Sequence, residues 1–352
     1  MIVLAIALGA YAVQVNANGK VDWEVKQVFG PKPENIVNAV ASLPDGGVIV
    51  VGSFAYTAPA FAWTDYNGAL AEIDATGVVT LKYQGTPTQN TTWEYYNSVA
   101  LAPAGGYWIG GRLTEVGGGS TPWAPDTTPV LVRSQANGSA IFSKVFGKIA
   151  PGKYQTLNKL IADADGVTVF GRSDFGPYGK NDAWVARVDN NNKLIYERHF
   201  GGAGEDGFDD AVAAPEGGFL VAGNSTLIGE QTYRALIGRV SADGLLTWQR
   251  NFAELDSNWR GIALTPTGMI ALAGRTNFKT AGENDFLTAT CDTFGNCTCA
   301  TSGTCLTKKL ADFDDKNPCS LDWCEAGVLK QAIGNEGLSC GDAKTCVKGK
   351  CQ

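Results

Sequence analysis

Three arginines share one position in a repeated pattern. Arg112, Arg172 and Arg275 each follow directly the glycine that closes a short apolar segment, and Ser53 and Asn224 hold the same place in two further copies. Equivalent positions of a closed repeat lie on a common ring, and the guanidinium fork suits a carboxylate or sulfate group. The pattern predicts an anionic-ligand site formed by Arg112, Arg172, Arg275 and Asn224. The interpretation favoured over this site is that each arginine pairs with a turn carboxylate of a neighbouring repeat.

Acidic residues crowd together before one of the predicted strands, at Glu205, Asp206, Asp209 and Asp210. Paired carboxylates supply the general acid and the nucleophile or base of glycoside hydrolysis. The same side chains could cap turns, or two of them could hold a Ca²⁺ ion. Turn chemistry is the favoured interpretation, so no catalytic residue, metal ligand or cofactor is assigned from the sequence. The single histidine, His199, falls on a predicted outer strand, where packing is favoured over a Ser-His-Asp nucleophile system.

Aromatic residues gather in the longest predicted loops. Trp63, Trp93 and Trp123 lie in loops of the second and third repeat copies, which are longer than the corresponding loops of the next two copies. Extra loop length on a rigid scaffold is where binding commonly resides. Tryptophan beside glycine and threonine suits a hydrated contact with a carbohydrate or a protein. We therefore predict that these three tryptophans bind a ligand.

The elements that must position these residues are short strands. A Gly-rich apolar segment recurs five times, and its closing glycines are about 50–60 residues apart. Between the copies recurs a turn with an Asn-Gly, Thr-Gly or Asp-Gly pair, which supplies the positive φ of a tight hairpin. Each copy thus predicts four antiparallel strands, ordered as an inner, a Gly-flanked, an alternating and an outer strand.

The repeats predict an all-β fold. Five copies and a degenerate sixth at 291–297 predict a six-bladed β-propeller of four-stranded blades over residues 1–300, with an open solenoid as the alternative. The first blade lacks its inner strand in the repeat pattern. That strand could come from 327–331, or it could be missing because the chain is a fragment. The apolar segment 1–17 is a blade strand in the favoured interpretation and a signal peptide in the other.

The charge balance excludes some functions. The net charge is −7, from 28 Lys and Arg against 35 Asp and Glu, and no basic stripe is visible. We predict no nucleic-acid partner, because such partners are bound largely through basic side chains that displace counterions from phosphates. No apolar run reaches about 18 residues, so we predict no transmembrane segment.

All nine cysteines lie in the last part of the chain. They are Cys291, Cys297, Cys299, Cys305, Cys319, Cys324, Cys340, Cys346 and Cys351. Such crowding is typical of a disulfide framework, which persists in an oxidising compartment. Residues 301–352 are therefore predicted to form a small disulfide-rich module, and the protein to be secreted or on the cell surface. The odd number leaves one thiol free or paired with another chain, and a zinc site is the disfavoured alternative.

With these motifs in view, residues 1–300 resemble secreted bacterial repeat propellers. That likeness is carried by 182–189 (DAWVARVD), 200–206 (FGGAGED) and 215–219 (PEGGF). The tail resembles the Cys-rich modules of myxobacterial-type surface proteins, in 315–324 (DKNPCSLDWC), 337–342 (GLSCGD) and 346–351 (CVKGKC). Such modules often have a further cysteine near Val328, which this chain lacks. The resemblance implies a propeller fold and an extracellular location, and it implies no single activity.

These features together predict a non-enzymatic module for binding or assembly outside the cell. Its partners would be other surface proteins, glycans or further copies of itself. The basis of this prediction is an extended loop surface without a complete catalytic set. The alternative is a carboxylate-dependent glycan hydrolase or lyase that uses the propeller channel.

Overall fold

The protein is built from β-strands. The computed structural model describes residues 2–6, 10–15, 21–27, 35–57, 64–84, 92–115, 127–146, 153–226, 233–276, 285–299, 320–325, 328–333, 339–341, 344–347 and 350–351. Within these ranges every regular element is a strand. The described chain accordingly contains no helix of the length and apolarity needed to cross a membrane. The predicted all-β class is confirmed.

The first sheet has three strands in the order β1-β2-β3. They are β1 (Ile2–Ile6), β2 (Ala10–Val15) and β3 (Val21–Gln27). Residues 327–331 do not complete it, because the strand Val328–Ile333 pairs instead with Ser320–Glu325. Among the described residues the first sheet therefore has no fourth strand.

Five further sheets have four antiparallel strands each, and strands that follow one another in the chain are neighbours in the sheet. The first two contain β4 (Asn35–Ser42), β5 (Val48–Thr57), β6 (Thr64–Ile73) and β7 (Val79–Gln84), and then β8 (Thr92–Leu101), β9 (Tyr107–Glu115), β10 (Thr127–Ser134) and β11 (Ala140–Val145). The third contains β12 (Gln155–Asp163), β13 (Gly166–Ser173), β14 (Asp182–Asp189) and β15 (Leu194–Phe200). The last two contain β16 (Gly207–Ala213), β17 (Phe219–Ser225), β18 (Arg234–Val240) and β19 (Leu246–Leu255), and then β20 (Ser257–Leu264), β21 (Ile270–Thr276), β22 (Asp285–Cys291) and β23 (Cys297–Cys299).

The tail contains short strands. They are β24 (Ser320–Glu325), β25 (Val328–Ile333), β26 (Ser339–Gly341), β27 (Lys344–Val347) and β28 (Lys350–Cys351). One disulfide is seen, between Cys291 and Cys297, and it closes the hairpin from β22 to β23. The side chains of the other cysteines lie outside the described part of the chain, so the disulfide framework stays a prediction.

The hairpin turns use the chemistry expected of them. Asp74 Oδ1 accepts hydrogen bonds from the backbone N–H groups of Thr76 (2.8 Å) and Val78 (2.9 Å). Asp189 and Asp292 bind the same two positions of their own turns. In each turn the aspartate accepts hydrogen bonds from backbone N–H groups that have no strand partner, which is why acids and Asn-Gly pairs recur there.

The chain divides into two compact units by its internal contacts. Unit 1 comprises Met1–Val169 and Val188–Lys193, and unit 2 comprises Phe170–Arg187 and Leu194–Gln352. The core of unit 1 includes Ile49, Leu70, Tyr96, Ile109 and Val132. The core of unit 2 includes Leu220, Ile237, Trp248, Trp259, Leu272 and Cys291.

A β-bulge interrupts the first strand of four sheets at the same repeat position. The extra residues are Asn38 in β4, Asn97 in β8, Asp209 in β16 and Arg260 in β20. A bulge residue is left out of the ladder and can reach sideways. Asn38 Nδ2 donates to the carbonyl of Tyr96 (2.9 Å), and Asn97 Nδ2 donates to that of Leu157 (3.3 Å). The bulge thus joins consecutive sheets.

Candidate functional site

Two loops of unit 2 lie side by side. Residues 174–181 connect β13 to β14, and residues 201–206 connect β15 to β16. Lys180 N donates to Gly204 O (3.1 Å), and Asp206 N donates to Asn181 O (2.7 Å). These backbone bonds form a short parallel bridge between Asn181 and Glu205.

Each loop ends on a buried aspartate. The side chain of Asp182 is 1% exposed and that of Asp206 is 2% exposed. Asp182 Oδ2 accepts a hydrogen bond from Tyr178 N (3.1 Å), and Asp206 Oδ2 accepts one from Gly202 N (2.9 Å). Each carboxylate therefore closes its own loop, which is the local reason for an acid at these two positions.

The two carboxylates converge on Gly201. A Cβ atom at Gly201 would lie 2.6 Å from Asp206 Oδ2 and 3.0 Å from Asp182 Oδ1, so a side chain has no room there. Within the described residues, the Oδ1 atoms of both aspartates are buried without a hydrogen-bond partner. A buried polar atom without a partner is costly, and such atoms concentrate where a group is held for chemistry. We call Asp182, Gly201 and Asp206 the acid pair site.

Burial changes the proton affinity of this pair. Loss of hydration raises the pKa of Asp206 from 3.8 to about 6, and the negative charge of Asp182 adds to the rise. The nearby polar groups of Ser225 and Thr226 and the hydrogen bond from Gly202 N to Oδ2 oppose this rise. Burial also raises the pKa of Asp182, against hydrogen bonds from Tyr178 and Gly179. Two neighbouring carboxyls with raised pKa values hold one proton easily, which is the requirement for a general acid beside a carboxylate.

A second polar group lies beside the loop of residues 201–206. Arg172 Nη2 donates to Asp209 Oδ1 (2.7 Å), and Arg260 Nη1 lies 3.6 Å from the same oxygen. Asn258 Nδ2 donates to Asp209 Oδ2 (2.8 Å). Asn224 Oδ1 accepts from Arg172 (3.2 Å) and Asn258 (3.1 Å). We call these five residues the Asp209 cluster.

Asn224 links the Asp209 cluster to the acid pair site. Its Nδ2 donates to the carbonyl of Glu205 (3.3 Å), which directly precedes Asp206. Gly207, on the other side of Asp206, makes room for the cluster, because a Cβ there would lie 2.8 Å from Arg172 Nε. The two groups therefore share the backbone of residues 205–207.

The structure brings together only some of the predicted ligand-binding residues. Arg172 and Asn224 are hydrogen-bonded, and Arg172 also pairs with an acid of the next sheet, as the favoured interpretation of the repeat has it. Arg275 lies opposite Asn258 in the ladder between β20 and β21 and is exposed. In unit 1, the Arg112 guanidinium packs 4.8 Å from the centre of the Tyr95 ring, and its Nη1 lies 3.5 Å from the Tyr154 hydroxyl.

The three predicted tryptophans are not seen as side chains. Trp63 and Trp123 lie outside the described residues. Trp93 does not lie in a loop as predicted, since its backbone pairs with Thr114 in the strand β8, and its side chain is not described. Their ligand-binding role stays a prediction.

The structure also bears on the predicted roles of the acidic cluster and of His199. Asp206 binds its own loop, as turn chemistry predicts, whereas the partners seen for Asp209 are Arg172, Asn258 and Arg260 on other strands. His199 lies on the outer strand β15, and burial lowers its pKa, which favours the neutral imidazole. No three or more His, Cys, Asp or Glu side chains of the described ranges are grouped so as to hold a metal ion.

Comparison with known proteins adds evidence on the fold. No protein-family model and no curated protein matches the sequence. Among solved structures, a mutant puromycin hydrolase complexed with PGG matches at 14% identity and a TM-score of 0.50, covering 87% of this chain and 44% of that one. The chain therefore spans less than half the length of that hydrolase.

Two further structures match less well. The Bombyx mori GH32 β-fructofuranosidase BmSUC1, a mutant in complex with sucrose, has 9% identity and a TM-score of 0.39, covering 79% of this chain and 64% of that one. An exo-1,5-α-L-arabinanase from a bovine ruminal metagenomic library has 12% identity and a TM-score of 0.37, covering 76% of this chain and 98% of that one.

Consecutive four-stranded antiparallel sheets and the match to the hydrolase decide the architecture. The fold is β-propeller-like. The prediction of a non-enzymatic binding or assembly module is wrong, because the structure that matches over 87% of the chain is an enzyme. At 14% identity that match shows the fold alone, so the chemistry of this chain has to be argued from its own residues.

Proposed function

We propose that the protein is a carboxylate-dependent glycan hydrolase or lyase, with Asp206 as the proton donor and Asp182 as its paired carboxylate. The observation that carries the proposal is the convergence of these two buried carboxyls on Gly201, with an unpartnered oxygen on each. Perturbed carboxyl pairs of this kind are characteristic of sites that transfer protons.

The expected reaction follows from the protonation states. Neutral Asp206 gives its proton to the glycosidic oxygen while the bond from that oxygen to the anomeric carbon breaks. Asp182, as the carboxylate, bonds to the anomeric carbon, and water then displaces it while Asp206 takes back a proton. Asp206 Oδ2 and Asp182 Oδ1 both lie within 3.0 Å of one point. The two oxygens can therefore be no further apart than the sum of 2.6 Å and 3.0 Å, which is below the about 6.5–9.5 Å that inverting enzymes leave for water, so retention is expected.

Substrate reaches the acid pair site when the loops 174–181 and 201–206 separate. Both carboxyls are buried, and the two loops are joined by the backbone bonds at Lys180 and Asp206. Loops of this kind, which carry glycines at their contact, open at low cost compared with packed strands.

The test is turnover on a panel of glycans by the full chain. Asp206→Asn and Asp182→Asn should each abolish cleavage, because neither amide can donate the proton or bond to the anomeric carbon. Asp189→Asn, a change in the turn after β14, is the matched control and should keep activity. Turnover that survives in the Asp206→Asn variant, or a folded wild-type protein that cleaves none of the glycans, would overturn the proposal.

We also propose that the sheets close into a six-bladed ring, with β1–β3 as the sixth blade. Support comes from the five four-stranded sheets and the bulge contacts that join consecutive sheets. Electron microscopy of the purified protein should give end-on views with six lobes. Five lobes or an open arc would contradict this closure.

We propose in addition that residues 301–352 form a disulfide-rich module and that the protein functions outside the cell. Support comes from the clustered cysteines and the bond between Cys291 and Cys297. Mass spectrometry of the unreduced protein should find the tail cysteines oxidised. Free thiols throughout the tail would contradict both the module and the location.

A further inference from the structure

The Asp209 cluster has an excess of positive charge. Arg172 and Arg260 both approach the one carboxylate of Asp209, and Arg275 lies across the ladder from Asn258. Arg172 is held by Asp209 and Asn224, so it is already occupied. With Asp210 counted, whose carboxylate binds Ile262 N (3.0 Å), the three arginines face two acids.

Two of these arginines present their donors to solvent. The Arg260 side chain is 54% exposed, and its 3.6 Å separation from Asp209 is a loose ion pair. Arg275 is exposed, and within the described ranges its side chain has no hydrogen-bond or ion-pair partner. A guanidinium has five N–H donors, so both side chains keep donors for a ligand.

A buried acceptor lies beside them. Asn258 is 3% exposed, and its Nδ2 donates to both Asp209 and Asn224. These two bonds fix the orientation of the amide, and they leave its Oδ1 buried without a partner among the described residues. An unpartnered acceptor of this kind suits a hydroxyl donor.

We propose that Arg260, Arg275 and Asn258 bind an acidic sugar unit. The two guanidiniums take its anionic group, a uronate carboxylate or a sulfate ester, and Asn258 Oδ1 accepts a hydrogen bond from a neighbouring hydroxyl. Arg172, Asp209 and Asn224 hold this site in place and connect it through Glu205 to the acid pair site. The proposal rests on the proposed function and names its substrate class, an acidic glycan.

Binding is measured by calorimetry on the folded, full-length Asp206→Asn variant, so that no probe is cleaved. The probes are tetragalacturonate, its methyl ester and a κ-carrageenan tetrasaccharide, which carries sulfate esters and no carboxylate. The acid or the sulfated probe should bind, and the neutral ester should bind at least about tenfold more weakly, since one charge-assisted hydrogen bond accounts for such a factor. Binding of the acid alone assigns a carboxylate, and binding of the sulfated probe alone assigns a sulfate ester.

When each is combined with Asp206→Asn, the changes Arg260→Gln and Arg275→Gln should weaken binding of the anionic probe by about tenfold. Arg260→Lys should recover part of the loss. Arg239→Gln is the matched control, because it removes the same charge from unit 2 at a guanidinium that pairs with Glu216. Equal binding of acid and ester, an equal loss in Arg239→Gln, or no binding of either anionic probe would overturn the site.

The two proposals fail separately. If the anionic probes bind but the wild-type protein cleaves no glycan, the proposed hydrolase activity is wrong and the acidic-sugar site is still supported. Cleavage of neutral glycans by a protein that binds neither anionic probe would remove the sugar site and leave the acid pair mechanism.

Discussion

Arg172 and Asp209 form a 2.7 Å ion pair between consecutive sheets, from the second strand of one to the bulge of the next. Asp209 is 6% exposed and also accepts from Asn258, so its charge is compensated on two sides. The pair makes Asp209 a structural centre of its cluster, on which the placement of Asn258 and Arg260 depends.

Replacing Asp209 should destabilise the protein strongly. Asp209→Ala removes the carboxylate that balances the charge of Arg172 in a site that is largely shielded from water, so the free energy of unfolding should fall by about 3 kcal/mol. Glu216→Ala, which breaks the pair with Arg239, is the control: Glu216 is 63% exposed. Its loss should be below about 1 kcal/mol. Equal shifts of the two variants in urea unfolding would refute the central role of Asp209.

Asp206 should make the stability depend on pH. Its pKa is about 6 in the folded protein against an ordinary 3.8, so below pH 3.8 the carboxyl is protonated in both states. As the pH rises from there, the unfolded state ionises first, and folding loses stability until the pH passes the folded pKa. The full loss is about 3 kcal/mol.

The measurement is the unfolding free energy of wild type and of Asp206→Asn in urea, from about pH 3.5 to about pH 7.5. The variant lacks this ionisation, so its stability relative to wild type should grow by about 3 kcal/mol over the range. Asp182 remains in both proteins, and its contribution cancels to first order. A difference that is flat with pH would show that Asp206 ionises normally.

The same proton should govern catalysis. Since Asp206 must be protonated to donate, kcat/KM on a cleaved glycan should fall about tenfold for each pH unit above about 6. Asp206→Glu should move the pH midpoint of this decline in kcat/KM, because the longer side chain changes the burial of the carboxyl group. If the pH midpoint is the same in Asp206→Glu, the proton donor is another group.

Gly201 should tolerate no side chain. A Cβ would lie 2.6 Å from Asp206 Oδ2, so Gly201→Ala should cost about 1–3 kcal/mol through overpacking and reduce turnover. Gly261→Ala is the control in the same unit, where the nearest atom to a Cβ is 4.0 Å away. Its thermal midpoint should stay close to that of wild type. A matching loss in both variants would point to backbone freedom and not to the crowded carboxyls.

The sequence predicted well what is decided locally. The hairpins at Asp74, Asp189 and Asp292 follow from turn residues that bond to their own backbone. The repeat gave Arg172 and Asn224 equivalent positions, and a 3.2 Å hydrogen bond joins them, whereas their role in binding an anion stays a prediction. Regular alternation was predicted for β14, yet most of this strand is buried, because both of its faces are covered by protein.

The acid pair site was beyond reach of the sequence pattern. Asp182 and Asp206 belong to different hairpins, and they meet because two loops pair through backbone atoms, which leave no side-chain signature. Asn258 was missed for a similar reason, since its partners depend on the bulges at Asp209 and Arg260. Of the two paired acids, only Asp206 is singled out by the sequence, and there as a turn residue.

The bulge residues differ in how specifically they join one sheet to the next. Asn38 and Asn97 bind carbonyl oxygens, which any neighbouring strand offers, whereas Asp209 binds the guanidinium of Arg172 by charge. Duplicated sheets that carry asparagine at the bulge could be exchanged during evolution without loss at their junctions. The sheets that carry Arg172 and Asp209 could not, because exchanging either one would leave a largely buried charge unpaired.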